Sequence, residues 1–154
     1  MKSEKIHKCR ICNSKNLKLA FSLGNIAYTG IFLKRKNLNV PKDHINIVYC
    51  KNCSLVQLDR NFNLNYMFGK NYGYRSGINK SMSSHLDNLA KKITKIFKLN
   101  AKDHVLDIAS NDGTLLNAYN KDIIKVGVDP LINKFNKNYK KINFKISKFF
   151  DAKY

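Results

Sequence analysis

Residues 102–116 read Lys102-Asp103-His104-Val105-Leu106-Asp107-Ile108-Ala109-Ser110-Asn111-Asp112-Gly113-Thr114-Leu115-Leu116. Val105 to Ile108 is an apolar run of strand type, Ser110 to Gly113 is turn chemistry, and Thr114 to Tyr119 begins a helix. A second strand follows in Ile123-Ile124-Lys125-Val126-Gly127-Val128 and ends in Asp129-Pro130. Strand, turn, helix, strand is the opening unit of a doubly wound α/β sheet.

That geometry has a chemistry. Small residues in the first turn let the backbone approach a ligand, and the helix start offers free N–H groups. An acid closing the second strand can accept both hydroxyls of a ribose, and Asp129 lies 22 residues beyond Asp107, the distance that role needs. The turn lacks the dinucleotide GxGxxG, and Asp112 puts negative charge where a pyrophosphate would lie. A ligand with an α-amino group and a sulfonium tolerates acids there, which favours S-adenosylmethionine over NAD. An ordinary βα turn is the plainer alternative.

Upstream, Met82, Leu86, Leu89, Ile93, Ile96 and Phe97 form a helical stripe, with Lys91, Lys92 and Lys95 on the wet side and Ser81 as its expected cap. Further upstream stand four cysteines in two CxxC pairs, Cys9-Arg10-Ile11-Cys12 and Cys50-Lys51-Asn52-Cys53. Each pair aims two thiolates at one point, and two such pairs complete the tetrahedron that zinc prefers. Lys8, Arg10 and Lys51 favour thiol ionisation. A redox CxxC would leave one pair unexplained, and an iron–sulfur cluster would use the same ligands at a spacing more typical of zinc ribbons. Four cysteines leave no open coordination position, so the expected zinc is structural. His7 and His44 are not needed as ligands. Ile45 to Tyr49 and Ser54 to Leu58 read as strands around the second pair, so residues 1–65 form a β-rich module.

The chain has 154 residues, with Lys+Arg 29 against Asp+Glu 10 and a formal charge of +19. The excess is uneven: residues 1–100 hold 19 basic and 4 acidic side chains. Such charge suits nucleic acid or a phosphorylated substrate, but a chain loaded with Lys, Asn and Ile also fits a compositional bias without meaning for partners. No segment approaches the ~20 apolar residues that span a bilayer. The N-terminus, MKSEKIHKCR, lacks the apolar stretch of a secretory signal, so the expected location is cytoplasmic and no membrane partner is expected.

Six blocks in order, CRIC, LGNIAYTGIF, CKNCSLVQL, NYGYRSGIN, LDIASNDGTLL and GVDP, resemble sugar C-methyltransferases with an N-terminal zinc-binding domain. The resemblance implies a zinc module followed by a Rossmann-like S-adenosylmethionine domain, acting on a carbon of a nucleotide-linked keto-deoxysugar. It makes Cys9, Cys12, Cys50 and Cys53 the zinc ligands. It gives Asp107, Ser110, Asn111, Asp112, Gly113 and Asp129 to the cofactor, and Tyr72 or Tyr74 to the sugar or its enolate. Arg75 and Ser76 lie beside those tyrosines, and His85 matches a family histidine on the following helix. Ala109 stands where the usual motif has its first glycine.

The expected architecture is therefore an α+β zinc module over residues 1–65, a tyrosine-rich loop and connecting helix over 66–100, and the first half of a class I methyltransferase α/β domain over 101–154. Two strands and a third segment, Ile142 to Ile146, would belong to a sheet of seven, so a truncated product is expected. The family's general base, a histidine after the fourth strand, has no match in this chain. Whether the chain is itself an enzyme is accordingly open. The alternatives are a basic zinc ribbon that holds nucleic acid, which would leave LDIASNDG and GVDP without purpose, and an inactive fragment.

Overall fold

The computed structural model of the chain describes residues 3–28, 35, 39–69 and 71–151. It divides into two compact units, Met1–Gly73 and Tyr74–Tyr154. The division falls within the stretch read as a connector.

The first unit is built of strands β1 (Glu4–Lys5), β2 (Leu17–Ala27), β3 (Lys42–Cys50), β4 (Val56–Leu58) and β5 (Arg60–Asn61), followed by the one-turn helix α1 (Leu64–Phe68). β2, β3 and β4 make an antiparallel sheet in that order, and β1 pairs antiparallel with β5. The start of LGNIAYTGIF completes β2, while its Thr29 to Phe32 lie outside the described residues. Among the described residues, this unit buries little apolar surface. Cys9, Tyr28, Val48 and Cys50 are buried, yet Leu19, Phe21 and Leu23 of β2 remain more than half exposed.

Polar order substitutes for that core. Asp43 accepts hydrogen bonds from the Ser3 hydroxyl (2.6 Å), the Ser3 amide (3.1 Å) and the His44 amide (2.8 Å). Arg60 reaches Asp43 through Nη1 (2.7 Å) and Asp59 through Nε (3.0 Å). The Ser3 hydroxyl foremost, with the Ser3 and His44 amides and Arg60, outweighs burial and holds the Asp43 carboxyl at about 2.

The second unit contains α2 (Lys80–Phe97), β6 (His104–Ile108), α3 (Thr114–Ala118), β7 (Ile124–Val128) and β8 (Phe144–Ile146). β6, β7 and β8 pair in parallel in that order. α2 is capped by Asn79, not Ser81: the Asn79 side chain accepts from the amides of both Ser81 and Met82. Ala90 packs with Tyr119 and Ile123, joined by Ile93, Leu99, Val105 and Leu115. The stripe read through Ile96 and Phe97 ends earlier, since both are well exposed. α3, which packs against α2, is five residues long. On β6, Leu106 and Ile108 are exposed, and Phe144 of β8, in register with Leu106 across Val126 of β7, is exposed as well.

Two substitutions probe this framework. Arg60→Met strands the buried carboxylates of Asp43 and Asp59 and is expected to cost about 2–3 kcal/mol, read from urea unfolding of the metal-loaded chain. Ala109 has φ +62, a left-handed conformation that penalises a side chain. Ala109→Gly relieves that strain against the added freedom of the unfolded chain, and should raise stability by about 0.5–1 kcal/mol in the same measurement.

Candidate functional site

The four cysteines converge. Their sulfurs all lie within 4.8 Å of one another, with Cys9 to Cys53 at 3.6 Å and Cys12 to Cys50 at 3.5 Å. A tetrahedron of sulfurs about 2.3 Å from a central zinc has edges of about 3.8 Å, so the cluster fits that ion. Cys9 and Cys50 are buried, Cys12 and Cys53 exposed.

The two CxxC segments fold as copies of one turn. Asn13 donates its amide to the Cys9 carbonyl (3.1 Å), and Ser54 donates to the Cys50 carbonyl (2.8 Å). The Cys9 amide reaches the Ser14 carbonyl (2.8 Å), and the Cys50 amide reaches the Leu55 carbonyl (2.9 Å). Each turn is closed by a left-handed residue, Asn13 at φ +58 and Ser54 at φ +61. The sequence reading places Ser54 at the start of a strand over Ser54 to Leu58, but Ser54 closes the turn and β4 begins only at Val56; Asn13 was not singled out, although a polar residue directly after each CxxC was the available signal. Asn tolerates that conformation best.

The electrostatics point to a cation. The amide of Cys12, aided by that of Ile11, stabilises the Cys9 thiolate and brings its thiol down to about 6 against the cost of burial. Burial opposes ionisation of Cys50, yet the amides of Cys53 and Asn52 pull it below the usual thiol range. The Leu55 amide favours the Cys53 thiolate too, but the Cys12 sulfur and burial push that thiol up to about 12. Four thiols so close cannot all ionise without a positive ion between them. His7 and His44 are exposed and outside the cluster.

The second unit holds the other candidate residues. Three of five residues in the turn after β6 are left-handed: Ala109, Asn111 and Gly113. The Ala109 and Ser110 amides both donate to the Val128 carbonyl, and the Asn111 amide donates to Asp129 Oδ2 at 2.9 Å. Asp129 also accepts from the Leu131 amide at 2.7 Å. Tyr139, fully buried, supports the turn from below, bonding Ser110 Oγ at 2.9 Å and donating to the Asn111 carbonyl at 2.9 Å. A Cβ on Gly127 would lie 3.0 Å from the Tyr139 ring, so only glycine lets β7 pass there.

Asp107 and Asp129 stand at the carboxyl ends of adjacent parallel strands. Burial first, and the Asp129 charge second, raise the Asp107 carboxyl to about 6. Asp112 is buried and turned inward, accepting from Thr114 Oγ1 (2.6 Å), the Thr114 amide (3.3 Å) and the Gly77 amide (3.1 Å), with Arg75 Nε at 3.5 Å. Asn111 Oδ1 accepts from the Ser76 amide, and its Nδ2 donates to the Tyr74 carbonyl (both 3.1 Å). The Tyr74–Gly77 segment is thus fastened to the turn. A polar cleft of about 350 Å³ opens there between Arg75, Gly77, Ser83, Asp112, Thr114, Asn117 and Asn138. Tyr72 belongs to the first unit, its ring 5.5 Å from that of Phe68, whereas Tyr74 and the exposed His85 belong to the second. Tyr139 was missed from sequence because its partners Ser110 and Asn111 lie 29 and 28 positions away, whereas Thr114, only two residues from Asp112, was read simply as the start of a helix.

Metal analysis tests the cluster. Cys50→Ser or Cys53→Ser should abolish the single zinc per chain by elemental analysis after dialysis, and unit 1 should lose its β circular dichroism. Retention of one zinc by either variant would refute four-cysteine ligation.

With the geometry in hand, comparison with known proteins adds one finding. Residues 9–68 match the family model Methyltransf_13, described as "Putative zinc binding domain". No curated protein matches the chain. The match begins at Cys9 and contains all four clustered cysteines. Among the described residues, no helix is long and apolar enough to cross a membrane. The N-terminal unit therefore carries a methyltransferase-associated zinc-binding domain.

Proposed function

We propose that the chain carries the zinc-binding and cofactor-binding parts of an S-adenosylmethionine-dependent C-methyltransferase whose acceptor is a nucleotide-linked keto-deoxysugar. The observation that carries this reading is the bond from the Asn111 amide to Asp129, which joins the left-handed turn after β6 to the acid closing β7. It sits in the same chain as the methyltransferase-associated zinc domain. The sugar rests on the motif resemblance alone.

In this reading zinc is structural, held by Cys9, Cys12, Cys50 and Cys53. The turn 109–113 supplies small residues beside which an adenosine can lie, and Asp129 faces the ribose hydroxyls. Asp107 and Asp129 together give a negative field that suits a sulfonium and an ammonium and disfavours a pyrophosphate. S-adenosylmethionine, when bound, would supply an electrophilic methyl group. The work of Tyr72 or Tyr74 would be to hold the acceptor or its enolate oxygen by hydrogen bonding, and the fold's contribution to bring the two carbons together and keep water away.

Isothermal titration with S-adenosylmethionine tests the reading. The chain should bind it, and Asp129→Ala should weaken binding about tenfold or more, as expected for loss of one or two hydrogen bonds to a charged group. Undetectable binding by the wild-type chain, together with oligonucleotide binding that falls steeply with salt, would favour a nucleic-acid module instead.

A further inference from the structure

Arg10 sits at the tip of the first CxxC turn, between two cysteines, and its charge is not directed at the sulfurs. Its amide and its Nη1 both donate to Gln57 Oε1, at 3.2 and 3.1 Å. Nη1 also donates to the Leu58 carbonyl (2.7 Å), and Nη2 donates to the Arg60 carbonyl (3.2 Å) and to Asn61 Oδ1 (2.8 Å). All four acceptor residues lie in the strand segment that leaves the second CxxC turn. Gln57 is buried, and its Nε2 has no hydrogen-bond partner among the described residues. Reversing that amide would aim its donors at Arg10, so the arginine fixes the glutamine's orientation.

We infer that Arg10 is a positioning residue for the metal centre: its guanidinium fork fastens the Cys9–Cys12 turn to the strand following Cys53 and so sets the separation of the two thiol pairs. This rests on the metal reading of the four cysteines. The two turns are also tied by the Lys51 amide, which donates to the Asn16 carbonyl at 3.0 Å, and by the register that places Leu17 opposite Cys50. Those ties hold the turns at their inner end, near the sheet. Arg10 adds a tie from within the Cys9–Cys12 turn itself, between the two cysteines, to the segment after Cys53. A planar fork with several donors can span two carbonyls and two side chains together, whereas a lysine ammonium at the same site is a single point. Side chains outside the ligand set that orient the ligands commonly govern metal affinity by about 10–100-fold.

The test measures metal release from the full chain. Zinc transfer to a chromophoric chelator gives the rate, and cobalt(II) substitution reports the tetrahedral thiolate site by its visible bands. Arg10→Lys, which keeps the charge, should speed zinc release about tenfold or more and broaden the cobalt bands. Asn61→Ala, which removes one of the bonds, should move both in the same direction by less. Arg60→Met loosens the same unit through Asp43 and Asp59 but leaves the Arg10 bonds in place, and should speed release clearly less than Arg10→Lys does. Wild-type release in Arg10→Lys would overturn the inference, showing that charge alone suffices. Equal acceleration in Arg60→Met would overturn it too, because general loosening would then explain the effect. A wild-type chain that takes up neither zinc nor cobalt would instead defeat the metal reading itself.

Discussion

Four sulfurs held within 4.8 Å are the constraint on which the first unit depends. Without a cation that arrangement is unfavourable, since each thiolate raises the cost of ionising the next. With a divalent metal it becomes the strongest interaction in the unit: structural zinc contributes roughly 10–16 kcal/mol in small domains. The rest of the unit is shaped as though that energy were assumed. Its strands leave Leu19, Phe21 and Leu23 largely exposed, and among the described residues its buried polar set (Asp43, Gln57 and Asp59) outnumbers the aliphatic side chains buried with it. The apolar burial of its described residues falls short of what holds so small a unit folded unless something else closes it. The paired CxxC turns provide the closure, and β2 and β3 serve chiefly to bring them together.

The second unit is organised around a strained turn instead of a metal. Three left-handed residues in five bend the backbone so that consecutive amides face Val128 and Asp129. Such backbone strain persists only where the surroundings over-determine it. Here they do so from two sides: Tyr139 from beneath, through Ser110 and the Asn111 carbonyl, and the Tyr74–Gly77 segment through Asn111 and Asp112.

Much of this was legible in the sequence, and the parts that were not share a cause. The cysteine pairs, the strands at 105–108 and 123–128 and the helix at 114 were readable because spacing and period encode them locally. The helix cap was misread because Asn79 and Ser81 are both good capping residues and only the backbone decides between them. Ile96 and Phe97 kept the helical period, but burial depends on whether a neighbour covers that turn, and both are exposed. Arg10 was read as a charge near thiols. Its acceptors lie 47 to 51 positions along the chain, and nothing in a local motif can announce them.

The same distinction bears on how the second unit would choose a ligand. From sequence, Asp112 looked like the negative charge that repels a pyrophosphate. In the fold it is buried, satisfied by Thr114 and Gly77 and close to Arg75, so its charge is largely spent inside the protein. Of the two carboxylates at the strand ends, Asp129 is itself buried and Asp107 is half-buried. Asp129 is fixed by two backbone amides, whereas burial and its neighbour lift Asp107 to about 6. A raised carboxyl beside a fixed one marks a place where added positive charge would be stabilised and added negative charge resisted. In the proposed reading, discrimination between a sulfonium cofactor and a phosphate-linked one rests on that pair at the strand ends, with Asp112 holding the turn between Thr114 and Gly77.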